Sequence, residues 1–200
     1  MDTITTTTAA LPLATAKSIA SLAVFADKPK SATPALQVIQ LTFTEDSVIA
    51  VATDRYCAAR VKFNYSGPAI GSVYVDHAGA KFITGLLTKP GITVEFNAED
   101  NSIAYQQYGD YQAKHYCAPY RAKFPAIESI LDGHKPGTST GNSFTVEFLG
   151  KLGKVVGIDG KKIAVWHLEP GESVNPNRPS PSMATSEEFQ VLIQPNLKSR

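Results

Sequence analysis

Apolar and polar residues alternate through Leu36–Phe43, Ser47–Val51 and Arg60–Tyr65, the two-residue period of half-buried strands. Glu45-Asp46 supplies a hairpin turn between the first two, and Ser66-Gly67-Pro68 closes the third. Ahead of them Leu13, Ala16, Ile19, Ala20 and Ala23-Val24 recur at helical spacing, which predicts a short amphipathic helix stopped at Pro29. Thr3–Thr8 is rich in β-branched residues and reads as a first strand or a tail.

The order then returns. Ser72–Val75 predicts a strand, and Asp76 is placed to cap a helix carrying Ala78, Lys81, Phe82, Leu86 and Leu87. Lys89-Pro90-Gly91 ends it. Strands follow at Ile92–Phe96, Ile103–Tyr108 and Tyr111–Cys117. Residues 132–142, rich in Gly, Pro, Ser and Thr, read as a linker. Beyond it the pattern predicts a strand at Ser143–Val146, a helix over Glu147–Val156, a turn at Gly157–Gly160 and a strand at Ile163–Leu168. Residues 169–186 carry prolines at 170, 176, 179 and 181 and read as loop, before a final strand at Glu188–Pro195. Ser72–Phe96 and Ser143–Leu168 share one order of elements, and Thr3–Phe43 fits it more loosely. Such repetition predicts a sheet-rich α+β protein built by duplication.

Composition narrows the function. An apolar fraction of 43% and a charged fraction of 18% suit a globular chain, and a net charge of +1 gives no overall attraction to nucleic acid. Only a local basic face could bind it. Lys17, Lys81, Lys151 and Lys154 lie on the predicted helices. On one shared face they would meet phosphates without reading sequence, although a solvated helix surface explains them equally well.

Chemistry is sparse. His77, His115, His134 and His167 are scattered, with no HExxH and no His/Cys pair at ligand spacing, and Cys57 and Cys117 form neither a metal spacing nor a disulfide framework. No phosphate loop, dinucleotide fingerprint or nucleophile elbow is present, and the carboxylates sit mostly at turns. No enzyme activity, cofactor or metal is expected. Reduced thiols, no transmembrane run and no basic-then-apolar leader point to a cytoplasmic protein without membrane contact.

One stretch needs a special explanation. Thr53-Asp54 interrupts an otherwise strand-like run, either as a bulge or as a surface lip that meets a partner. Val51-Ala52-Thr53-Asp54-Arg55-Tyr56-Cys57-Ala58 resembles the "ATDGHRLA" segment of bacterial β sliding clamps, the DNA polymerase III beta subunit family. Three further segments fall in that family's order. Pro34-Ala35-Leu36 is similar to its "P-x-L" entry, Lys123–Leu131 to its "RFPDYRRVLP", and Val191–Leu197 to its C-terminal "VVMPMRL".

The resemblance implies a DNA-clamp-like fold: repeated β-α-β-β half-units, with short helices on one face of curved antiparallel sheets. It divides the chain into a tail or first strand (1–9), a full clamp-like domain (10–132), a linker (133–142) and a partial domain holding only a second half-unit (143–200). An abbreviated clamp of viral or mobile-element origin is the form this brevity suggests. The family's role implies a homo-oligomeric processivity factor around duplex DNA that docks DNA polymerase and other clamp-binding proteins. Alternatives are a decoy that binds a host clamp or its loader, and an unrelated β-rich interaction protein. Carried over by position, the partner cleft takes Thr53, Arg55, Tyr56, Cys57, Ala58, Ile130, Leu131, Leu192, Gln194, Pro195 and Leu197, and the DNA face takes Lys17, Lys81, Lys151 and Lys154. Arg55-Tyr56-Cys57 in place of Gly-His-Arg, Asp132 in place of the closing proline, and Gln194 in place of a methionine depart from the pattern.

Overall fold

A computed structural model describes residues 7–138, 143–172 and 180–195, so most of the predicted Thr3–Thr8 segment and Leu197 lie outside the described residues. Strand β1 (Thr8–Pro12) leads into helix α1 (Leu13–Ala20), which tightens into a 3₁₀ turn at Ser21–Phe25. After a second 3₁₀ turn at Pro34–Leu36 come β2 (Val38–Phe43), β3 (Ser47–Thr53) and β4 (Cys57–Asn64). The cycle then repeats as β5 (Gly71–Asp76), α2 (His77–Gly85), β6 (Ile92–Asn97), β7 (Ser102–Gln107) and β8 (Asp110–Tyr116).

The two cycles exchange their first strands. β1 pairs antiparallel with β6, placing Leu11 opposite Val94, while β5 pairs with β2, placing Val73 opposite Leu41. The resulting sheets run β1-β6-β7-β8 and β5-β2-β3-β4, the same arrangement with the cycles interchanged. Neither cycle can complete its sheet alone. Inward residues of both sheets meet α1 and α2 in one core, where Phe25, Phe43, Phe96 and Ile83 are fully buried. Asp76 caps α2 as expected, accepting from Gly79 N at 2.7 Å.

The trailing segment extends this framework. It contributes α3 (Ile127–Asp132), α4 (Val146–Leu152), β9 (His167–Glu169), β10 (Ser182–Ser186) and β11 (Phe189–Ile193). β11 pairs with β4, so that the second sheet grows to the order β5-β2-β3-β4-β11-β10-β9. Leu152, Val155, Phe189 and Ile193 enter the common core. Two buried serines of the first cycle also reach across, Ser18 donating to Val156 O at 2.7 Å and Ser21 Oγ accepting from Val156 N at 3.2 Å.

Three local expectations are corrected. Phe144 and Thr145 pair in no sheet, and α4 begins at Val146, so the predicted Ser143–Val146 strand is an approach to a helix. Ile163–Leu168 is mostly unpaired: only His167–Glu169 joins a sheet, because its partner β10 is short and lies within the stretch read as loop. The repeat also shifts. Its clearest copies are the cycles starting at β1 and β5, and the third unit has no leading strand to lend among the described residues.

Candidate partner-binding pocket

The Thr53-Asp54 interruption is a hairpin connection closed by its own side chains. Asp54 Oδ1 accepts from Tyr56 N at 3.0 Å and Cys57 N at 2.8 Å, while Thr53 Oγ1 accepts from Arg55 N and donates to Cys57 O at 2.8 Å. The turn places Arg55 at φ +81°, a region glycine occupies more easily. This explains the glycine in the family's pattern. Arg55 holds the position here with its guanidinium on Thr33 Oγ1.

Three contacts fix this hairpin to the trailing segment. Gln194 N donates to Tyr56 O at 2.8 Å, prolonging the β4–β11 edge. Tyr56 stacks on Phe148 of α4 with ring centroids 5.4 Å apart and 19° between planes. Lys151 of α4 forms an ion pair with Asp54, each side chain only 12% exposed.

Beside the hairpin opens an apolar pocket of about 270 Å³. Thr53, Arg55, Tyr56, Cys57 and Ala58 form one wall, Ile127 and Ile130 of α3 a second, and Leu192 and Gln194 a third, with Leu36, Pro125 and Pro181 at the margins. Below it Val51, Ala58, Ile127, Leu131, Met183 and Leu192 make a small core of their own. Volumes near ~300–1,000 Å³ suit whole drug-sized ligands. This one suits an anchoring side chain or two.

Of the cleft residues expected from sequence, Thr53, Arg55, Tyr56, Cys57, Ala58, Ile130, Leu192 and Gln194 line the pocket. Leu131 lies buried beneath it, Pro195 is buried outside the lining, and Leu197 is not described. Sequence reasoning passed over Leu36, Pro125, Ile127 and Pro181. The first two belong to segments already singled out, Pro34-Ala35-Leu36 and Lys123–Leu131. Asp132 ends α3 in an ion pair with Arg60 at 2.7 Å, and Arg60 also grips Gln190 on β11. Cys57 offers no nucleophile: it is 1% exposed, and burial, aided by Asp54, pushes its thiol up to about 12.

The four lysines differ in what they touch. α1 and α2 pack together, but Lys17 turns its ammonium onto Leu86 O and Thr88 Oγ1 at the end of α2, and Lys151 is spent on Asp54. Lys81 and Lys154 remain exposed. One histidine lies in a cluster that the spacing along the chain does not single out. His115 of β8 and Cys117 just beyond its end lie beside Asp76, with the donor atoms of all three within 4.8 Å of one another.

No family model matches this sequence, and no curated protein does. Solved structures match its fold. A DNA polymerase sliding clamp from Pseudomonas aeruginosa superposes with a TM-score of 0.71 at 14% identity, covering 98% of this chain and 68% of that one. The DNA polymerase III beta subunit from Thermotoga maritima gives 0.69 at 10% identity, over 100% and 68%. A sliding clamp from Bartonella birtlesii, solved bound to griselimycin, gives 0.65 at 10%, over 97% and 66%. The chain has the α+β sliding-clamp fold, and its alignment takes up about two thirds of each clamp chain. Among the described residues no helix is long and apolar enough to cross a membrane.

Proposed function

We propose that this protein is a non-enzymatic, clamp-like docking factor of DNA replication that tethers a polymerase or another clamp-binding protein to duplex DNA. The observation that carries the reading is the pocket. Leu36, Thr53 and residues 55–58 of the hairpin, Ile127 and Ile130 of α3, and Leu192 and Gln194, separated widely in sequence, converge on one apolar concavity. Such a site suits a short linear peptide with an apolar anchor. The clamp fold supports the same reading.

In this proposal residues 10–132 act as a full clamp domain and 143–200 as a partial one, and copies of the chain assemble around DNA. Lys81 and Lys154 supply exposed cations for phosphate contact, while Lys17 and Lys151 serve the fold. DNA retention is then modest and falls as salt rises. The test combines light scattering with and without primed circular DNA and a polymerase processivity assay. A defined oligomer, DNA retention and longer products are expected. A monomer that ignores DNA and leaves product length unchanged overturns the proposal.

A further inference from the structure

The end of β8 meets the start of α2 away from the pocket. Asp76 is held there by two backbone donors, Gly79 N at 2.7 Å on Oδ1 and Ala118 N at 3.0 Å on Oδ2. His115 Nε2 lies 3.9 Å from Asp76 Oδ1, is shielded from solvent and has no hydrogen-bond partner. Its ring is steadied by stacking on Phe82, with centroids 5.6 Å apart. Cys117 is a free cysteine, 4% exposed, and its sulfur fits only because residue 79 is glycine: a Cβ there would stand 2.7 Å from Sγ.

We propose that Asp76, His115 and Cys117 bind one divalent cation of the zinc class, with a fourth coordination position left for water. The donor set is the argument. An oxygen, an imidazole nitrogen and a sulfur suit zinc-class ions, whereas calcium and magnesium require oxygen ligands throughout. Tetrahedral bonds of ~2.0–2.3 Å place ligand atoms about 3.3–3.8 Å apart. The three donors lie within 4.8 Å of one another, so a small closing movement completes the site.

The surroundings meet two further requirements of a built site. Both carboxylate oxygens are oriented by backbone amides and keep lone pairs for a metal, the usual second layer of support. A cavity of about 360 Å³ lined by Asp76, His77 and Ala118 borders the carboxylate, the side from which an ion would approach. Coordination would tie β8 to the first turn of α2. It costs the Cys117 thiol its proton, which passes to solvent as the sulfur–metal bond forms.

Chelator-treated full-length protein titrated with Co²⁺ tests this directly. The expected result is a thiolate-to-cobalt charge-transfer band in the near ultraviolet that saturates at one equivalent and is bleached by added Zn²⁺. Cys57→Ser leaves the band intact, Cys117→Ser removes it, and His115→Gln weakens Co²⁺ binding by at least about tenfold. Absence of the band in the wild-type chain overturns the site, as does its survival in Cys117→Ser. Should Cys117→Ser fail to fold, the half-buried His115→Gln variant decides, and unchanged affinity there overturns the proposal.

Discussion

The pocket differs from the lysine-bearing helices in how its residues are held. Its walls are joined by geometry that cannot be rearranged residue by residue: the Asp54-centred turn, the Gln194–Tyr56 main-chain bond and the Tyr56–Phe148 stack. The lysines share only a sign of charge. Long cationic side chains on short helices bond whatever acceptor lies near, and two of them find one inside the protein. The pocket walls are thus set by the backbone, whereas each lysine is set by the acceptor nearest to it.

The largest effect that separates the regions is expected at Asp54. Asp54→Ala removes both turn acceptors and strands Lys151 at a nearly buried position, costing about 3 kcal/mol in denaturant unfolding. Adding Lys151→Met should recover part of that loss. A double-mutant cycle with no coupling would mean the ion pair does not hold the hairpin.

A smaller contrast lies among the lysines. Lys17→Ala should cost about 1 kcal/mol through its lost bonds to Leu86 and Thr88. Lys81→Ala and Lys154→Ala, at exposed sites, should stay within about 0.5 kcal/mol of wild type while lowering DNA retention. Equal stability losses in all three would show that Lys17 is held no more firmly than Lys81 and Lys154.

The hairpin wall of the pocket gives a chemical test. Burial raises the Cys57 thiol from 9.0 to about 12, so the fold favours the protonated form. That contribution is fully present below pH 9.0 and is lost as pH rises toward about 12, because the unfolded thiol ionises first. Cys57 should therefore resist alkylation at pH 8 in native protein and react on unfolding. Rapid native labelling, located by mass spectrometry, would show that the hairpin wall opens.

The mildest change is Arg55→Gly. Relief of the positive φ is offset by loss of the Thr33 contact, so stability should change by less than about 1 kcal/mol, toward greater stability. A clear destabilisation in thermal melts would assign Arg55 a larger structural part than its position suggests.

Much of the fold was legible where period and punctuation agreed. The β2–β3 hairpin, the Asp76 cap and the three strands after α2 follow from alternation, a capping residue and turn residues. The exchange of β1 and β5 between sheets was not legible, because pairing partners far apart in sequence leave no local pattern. Nor was β10, whose Ser182-Met183-Ala184-Thr185-Ser186 resembles loop composition and is held as a strand by β11 and β9. In the pocket, the segment resemblance located the hairpin and the last strand. Ile127 could have been found from the same source, since it begins the helix whose Ile130 was already chosen.

The Gln194–Tyr56 bond also bears on when the pocket comes into being. On a ribosome the chain emerges from its N-terminal end, so the hairpin at 53–57 is made long before its facing wall. Until β11 has left the exit tunnel and docked on β4, Leu192 and Gln194 are missing and the concavity has one side. Any partner that needs all its walls therefore meets only chains whose synthesis has run past residue 194.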